Sequence, residues 1–399
     1  MKLKIAIVAH GRFHAFDLAR ALLRRGHNVT LFTNYPKWAV ERFNFPGNRV
    51  RSLWSHGVLT RVVSRISQRL LRSCDGRFHT MFGRWAAAEI GNERWDAVIL
   101  WSGVAEETLR SLEGRWSLRL VHRGSAHIAT QARLLMEEEE RTGTPQDRPG
   151  AWMIAREHRE YELADAVIVL STFSYNTFIS EGFRPERLYR VLSGADLKSF
   201  RPDLRVLEDR CARILSGEPL RILYVGNFSF QKGMWDAAEI IRGLNSERYV
   251  FRFVGSVSSE ASALARKLAP LATFIPKQPQ SELPGYYAWG DIFILPSIQD
   301  GFQTVLGQAA ASGLPILTTT NGAGSDIVRE GISGWVLPIR NPESFIERLR
   351  WCDTHREQLA SMARRIYHDF KPRDWADVAA DFESICLRGT RAEAQPAGK

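Results

Sequence analysis

Two stretches of this sequence carry an apolar strand through a glycine turn into a helix. The first, at 220–233, reads L-R-I-L-Y-V-G-N-F-S-F-Q-K-G, and the second, at 291–315, reads D-I-F-I-L-P-S-I-Q-D-G-F-Q-T-V-L-G-Q-A-A-A-S-G-L-P. A glycine turn at a helix start presents backbone N–H groups beside the positive end of the helix dipole, an arrangement suited to a diphosphate. Lys232 lies just ahead of a helix expected to begin at Gly233 or Met234, and adds a compact, mobile cation for a phosphate leaving group. Asp300 and Gln308 are eight residues apart. With a helix starting near Phe302, Asp300 falls in the turn before it and Gln308 on its second turn, so both face one cleft. A carboxylate there accepts bonds from sugar hydroxyls, and an amide serves a ribose as donor and acceptor. Each residue alone has a plainer use, Lys232 as a solvated loop lysine and Asp300 as a helix cap. Only their pairing across two similar loops points to a nucleotide-sugar site.

These residues need strands and crossovers to position them. Apolar or β-branched runs at 3–8, 29–33, 97–101, 118–122 and 166–170 predict strands in the first half, with a helix at 15–25 stopped by Gly26 and a long helical pattern that includes Arg156, Glu157, Glu160 and Tyr161. The half closes at 189–192, and the proline-containing stretch at 200–203 reads as the linker. Runs at 221–225, 249–254, 272–275, 292–295, 315–319 and 335–337 repeat the architecture in the second half. Continuous apolar strands separated by helices imply parallel sheets. The expected fold is therefore α/β, with two Rossmann-like, doubly wound domains facing a cleft and ligands at the carboxyl ends of the strands. The first domain is expected at 1–198 and the second at 199–370. A closing helix carrying Trp375, Val378, Ala379, Phe382 and Ile385 is expected at 371–388, and a small, polar, flexible tail at 389–399.

The chain of 399 residues exceeds what one core usually carries, and its 44% apolar and 25% charged content is ordinary for a globular protein. The apolar run at 5–9 is too short for a signal peptide, and no run approaches the roughly 18 residues a membrane span requires. Cys74, Cys211, Cys352 and Cys386 form no C-x-x-C pair, which predicts neither a disulfide framework nor a metal site and fits a reducing cytoplasm. The net charge of +10 implies an anionic partner. Arg61, Arg65, Arg69 and Arg72 recur at helical spacing opposite Val62, Val63, Ile66, Leu70 and Leu71, making a basic amphipathic helix within 61–84 that fits the inner face of an anionic membrane or packs as an ordinary surface helix. No zinc finger or RNA-binding motif supports nucleic acid as the partner, and neither Gly11 nor Gly226 opens the G-x-G-x-x-G run of a nicotinamide dehydrogenase.

Taken in order, several runs resemble the nucleotide-sugar-dependent glycosyltransferases of family 4. They are A-D-A-V-I-V at 164–169 with Ser171, S-G-A-D at 193–196 with Phe200 and Pro202, the Lys232–Gly233 loop, D-G-F at 300–302 running to G-L-P at 313–315, and Gly331 with Gly334. The resemblance covers nearly half the chain. It implies the GT-B fold, a retaining transfer of a sugar to a glycan or lipid-linked acceptor in cell-surface polysaccharide synthesis, and no metal or cofactor beyond the nucleotide-sugar donor substrate.

The family's Glu-x7-Glu pair falls on Asp300 and Gln308, so Asp300 inherits the approach to the donor sugar and Gln308 the ribose. The arginine that commonly precedes the loop lysine by five residues is here Asn227. The implied donor set is Gly226, Asn227, Lys232, Gly301, Phe302, Gln303, Thr304 and Gln308. L-V-H-R-G-S-A-H at 120–127 resembles the segment that brings a histidine to the reacting sugar, with His127 preferred over His122, so His127, Lys232 and Asp300 are the implied catalytic residues. Gly11, Arg12, His14 and His122 are the implied acceptor residues. The departures Asn227 and Gln308 leave a binding protein without chemistry as the other reading, and an epimerase on the same fold as a third.

Overall fold

The structure, a computed structural model, describes residues 1–66, 68–244 and 246–394, with the backbone alone for residues 64, 68–73 and 390–394. Among the described residues thirteen strands form two sheets. The first contains β1 (Lys4–Ala9), β2 (Asn28–Thr33), β3 (Val50–Ser52), β4 (Ala97–Trp101), β5 (Leu118–Arg123), β6 (Ala166–Val169) and β7 (Leu188–Arg190) in the order β3-β2-β1-β4-β5-β6-β7. The second contains β8 (Leu220–Val225), β9 (Tyr249–Val254), β10 (Ala272–Ile275), β11 (Ile292–Leu295), β12 (Ile316–Thr319) and β13 (Gly334–Leu337) in the order β10-β9-β8-β11-β12-β13. Every ladder is parallel. The central strands are buried on both faces, β4 and β11 along their whole length, which is why they read as uninterrupted apolar runs.

In each sheet the chain starts at a central strand, winds outward one way and then returns to build the other half. The reversals lie between β1 and β4 and between β8 and β11. At such a point the loops leaving the two strands diverge to opposite faces and open a crevice at the carboxyl ends. The loop after β8 carries Lys232 and the loop after β11 carries Asp300, so both glycine turns flank the same crevice.

Three features differ from the sequence expectation. The edge strand β3 lies in a segment without an apolar run. The single basic helix expected within 61–84 is two helices, Trp54–Ile66 and Gln68–Gly91. Residues 389–394 belong not to a polar tail but to the final helix, Trp375–Ala394. That helix places Val378, Ala379, Phe382, Ile385 and Cys386 in the core on one face of the first sheet. The stretch expected as a linker is short, because the helix Leu204–Leu215 begins directly after it. All four cysteines are free, and among the described residues no helix is long and apolar enough to cross a membrane.

The chain therefore crosses between domains twice, and the two crossings touch. Ala195 N–H donates to Arg373 O at 3.0 Å, and Arg373 Nε donates to Leu192 O at 3.0 Å. Gly194 lies against the second crossing so closely that a Cβ would fall 2.6 Å from Asp374 O. Gly194→Ala must push the two strands of chain apart, at a cost of about 1–3 kcal/mol. Urea unfolding is expected to show this loss; an unchanged midpoint would mean that the crossing yields freely.

Candidate active site

The loop after β8 is built on stacked aromatic rings. Tyr224 stacks on Phe228 with centroids 4.9 Å apart, and Phe253 and Phe274 continue the layer. Tyr224 Oη donates to Asn227 O at 3.2 Å, fixing the turn from below. Ser229 closes a single helical turn by accepting the Lys232 N–H at 3.3 Å, and the helix Met234–Gly243 follows. Gly233 joins the two with φ +77°, where a Cβ would lie 1.8 Å from Pro296 O. Only glycine fits there, for both the left-handed backbone and the close approach of the next loop.

That next loop brings Asp300 to Lys232. The Lys232 ammonium donates to the Asp300 carboxylate, and both side chains are partly buried. Asp300 N–H donates to Asn321 O at 3.0 Å. The helix after it is Thr304–Ala311, starting two residues later than expected, so Gln308 is its fifth residue. Gln308 is buried, and its Oε1 accepts the Tyr287 hydroxyl at 2.8 Å. Burial pushes the Tyr287 hydroxyl far above its ordinary pKa, so it remains a donor. Asn227 Oδ1 accepts the Ser256 hydroxyl at 2.9 Å. Gln303 is turned inward, where its Oε1 accepts the Ala323 N–H at 2.7 Å, and Phe302 packs on the second domain's core. Of the expected donor residues, Gln303 and Phe302 thus brace the loop, while Lys232 meets Asp300, which was expected to be catalytic.

The first domain approaches this loop directly. A Cβ on Gly301 would fall 2.0 Å from Gly124 O, and Ser125 Oγ donates to Gln299 Oε1 at 3.0 Å. Asp326, in the short helix Gly324–Ile327 after β12, accepts the Thr172 N–H at 2.9 Å and pairs with Arg190 at 3.2 Å, tying the domains together at one side of the cleft.

A cavity of about 1340 Å³ opens in the first domain at the carboxyl ends of β1, β4 and β5. His14 and His122 line it; Gly11 and Arg12 do not. The Arg12 guanidinium instead lies over the Phe43 ring, 4.1 Å from its centroid. His10 and Phe13, which the sequence reading passed over, do line the cavity, and Phe13 holds the rare φ of 37° with its side chain exposed. A residue type with no reason to enter the left-handed region gives no sequence signal of doing so.

His127 is placed elsewhere. It precedes the helix Ile128–Thr142 without a side-chain cap, its N–H donates to Thr177 Oγ1 at 2.9 Å, and its ring packs on Phe178 and His158 at 4.8 and 5.1 Å. The ring is buried in the helix layer, so His127 does not face the reacting position expected of it. His122 stands at the cavity wall, stacked on Trp101 at 4.3 Å.

The local fields keep these rings neutral. Burial, with a smaller contribution from His14, lowers His122 to about 3, and burial with His158 lowers His127 to about 4. Burial also lowers His14, although the Asp17 and Asp300 carboxylates pull the other way; His14 thus lies within the field of Asp300 across the cleft. Among the described residues no group of three or more histidine, cysteine, aspartate or glutamate side chains gathers as a metal site.

Two facing parallel domains whose glycine loops meet at one crevice are the GT-B arrangement. The glycosyltransferase family 4 model matches residues 12–199 and the glycosyl transferases group 1 model matches residues 219–353. With one model on each domain, the chain is a family-4-like glycosyltransferase of GT-B fold. It is 31% identical over 185 residues to D-inositol 3-phosphate glycosyltransferase 1 of Catenulispora acidiphila, covering 42% of this chain and 44% of that one. It is 27% identical over 221 residues to sulfoquinovosyl transferase SQD2 of Arabidopsis thaliana, covering 54% and 43%. The match thus spans less than half the length of either relative. Anabaena Alr3699/HepE, solved in complex with UDP, superposes with a TM-score of 0.68 at 12% identity, over 97% of this chain and 100% of that one.

The neutral rings make acid stability a check on their burial. The unfolded chain protonates each histidine near 6.5, whereas the fold resists until about 3 for His122 and about 4 for His127. The unfolded state therefore binds more protons in that window, and stability falls as pH drops from about 6.5 toward 4. Replacing His127 with Gln should flatten the fall in the urea midpoint over that range. An identical slope in the variant would mean that the ring protonates in the fold.

Proposed function

We propose that this protein transfers a sugar from a nucleoside-diphosphate donor to an acceptor hydroxyl in the cleft between its domains. The contact between Lys232 and Asp300 carries this reading. It draws a cation and a carboxylate from the two loops that flank the sheet's reversal point, opposite the first domain's cavity. Lys232 would neutralise charge developing on the departing diphosphate, assisted by the N–H groups of Asn227, Thr304 and Val305, while Gly226, whose N–H donates to Val254 O at 3.0 Å, would shape the turn. Stabilising charge where it appears in a dry cleft is usually the largest catalytic contribution. Asp300, exchanged from Lys232 when phosphate arrives, would accept bonds from hydroxyls of the donor sugar. Gln308, its carbonyl held by Tyr287, would offer its amide N–H groups to the ribose. UDP in the Anabaena neighbour favours a uridine donor.

The acceptor would enter through the first domain's cavity, and its hydroxyl would attack from the leaving-group face, retaining anomeric configuration. His122, neutral, would border the reacting sugar. Reaction at a membrane surface and a product in a cell-surface glycan fit the helix Trp54–Ile66, where Trp54, Val58, Leu59, Val62 and Ile66 are exposed. Arg61 and Arg65 accompany them, while the side chains of Arg69 and Arg72 lie outside the described residues. Flotation with anionic vesicles, weakened by salt, is the expected behaviour; the same recovery with and without vesicles would remove the membrane from the proposal.

Thermal shift against UDP-, GDP- and ADP-sugars identifies the donor through the stability its binding adds. With that donor, Lys232→Ala is expected to lower turnover by about 100-fold or more while the fold persists. Binding without transfer to any acceptor would favour a protein that kept the cleft and lost the chemistry through Asn227 and Gln308, and normal turnover in the variant would remove Lys232 from the reaction.

A further inference from the structure

The cavity in the first domain has an unbalanced charge. Its lining holds the carboxylates Asp75, Asp147 and Glu157 and the guanidinium groups of Arg77, Arg84, Arg123 and Arg148. Most of these are engaged. Asp75 pairs with His79 at 3.2 Å, and Glu157 accepts from Arg123 at 2.9 Å and from the Tyr161 hydroxyl at 2.5 Å. Arg148 reaches Glu139 at 3.3 Å, and Asp147 has a partner. Arg77 and Arg84 have no hydrogen bond or ion pair among the described residues.

These two arginines share a helix, Gln68–Gly91, at a separation of seven residues, or about two turns. They therefore project from one face, with Thr80 and Met81 between them, all four lining the cavity. The wall beside Arg77 is aromatic. Gly76 lets the Trp152 indole close on the helix, since a Cβ there would lie 3.0 Å from the ring, and Trp152 keeps an exposed face. At the other end of the same cavity stand His14, within the field of Asp300, and His122, whose buried Nδ1 has no partner. Two unpaired like charges in a half-enclosed site repel each other and gather field lines, which favours an anion between them. Guanidinium forks match phosphate oxygens in two-point contacts, and an indole face accepts a sugar ring or an alkyl chain.

We infer that Arg77 and Arg84 hold a phosphate group of the acceptor, with Trp152 against the portion next to it. The inference rests on the proposed transfer reaction and assigns its acceptor class: a phosphate-bearing molecule, anchored at Arg77 and Arg84 so that a hydroxyl at its far end reaches His122 and Asp300. Anchoring of this kind lowers the entropic cost of aligning the attacking hydroxyl. The phosphate belongs either to a soluble phosphate ester or to a lipid phosphate, and both present the same oxygens to the arginines.

Calorimetric titration separates the possibilities without using the donor. Glycerol 3-phosphate serves as the soluble probe and a short-chain phosphatidic acid, monomeric in solution, as the lipid probe. Each is titrated into the wild type, Arg77→Gln, Arg84→Gln, the double variant, Lys232→Ala and an exposed control, Arg205→Gln. Binding of either probe that weakens about tenfold or more in each arginine variant, and persists in Lys232→Ala and Arg205→Gln, supports the inference. The probe that binds tells which source the site accepts. Wild-type binding of neither probe, binding indifferent to Arg77 and Arg84, or binding lost only in Lys232→Ala would overturn it. In the last case the anion occupies the donor loops, and the proposed donor site would stand while this acceptor assignment fell.

Discussion

A lysine and an aspartate that meet at the reversal point of a parallel sheet depend on almost everything else in this molecule. Lys232 and Asp300 come from loops 68 residues apart, yet each loop leaves one of two adjacent strands, β8 and β11, whose registers bring Ile292 opposite Ile222. Holding two charges in a partly buried crevice has a desolvation cost that their attraction only partly offsets. The pair is therefore a poor stability device and a reasonable exchange site. In the proposed reaction a diphosphate replaces the carboxylate at Lys232, and Asp300 becomes available to the sugar.

The loops hold this pair because their surroundings leave little freedom. Beneath one lies the layer of Tyr224, Phe228, Phe253 and Phe274, and beside the other the buried Tyr287 fixes Gln308. Gly233 allows Pro296 O to approach, and Gly301 allows Gly124 O to approach. The first of these contacts joins the two loops of one domain and the second joins the two domains, so glycine at both positions sets how closely donor and acceptor halves face each other. The doubled chain crossing at Gly194 and the return of the last helix to the first domain's core make the hinge side equally close.

Much of this was legible in the sequence because a doubly buried parallel strand must be apolar throughout. Among the described residues, eleven of the thirteen strands coincide with the expected apolar runs, and the exceptions are the two three-residue edge strands of the first sheet, β3 with Arg51 exposed at its centre and β7 with Arg190 exposed at its end. Helix boundaries were harder to read. The periodicity across 61–84 is nearly continuous, so nothing in it marks the division between Trp54–Ile66 and Gln68–Gly91. The loops with glycine at fixed positions pointed to Lys232 and Asp300, since backbone geometry there leaves a residue-level trace. Side-chain direction leaves none. His122 and His127 are five residues apart in one run, but the first ends a strand at the cavity while the second starts a helix and turns its ring into the packing layer. Gln303 and Arg12 went inward or sideways for the same reason.

A crystal structure with a nucleoside diphosphate bound would show directly whether the two glycine loops hold the donor. Diphosphate oxygens are expected within hydrogen-bond distance of Lys232 Nζ and of the backbone N–H groups after β8, with Asp300 released from the lysine. A diphosphate bound away from both glycine loops, with the Lys232–Asp300 contact intact, would contradict this placement.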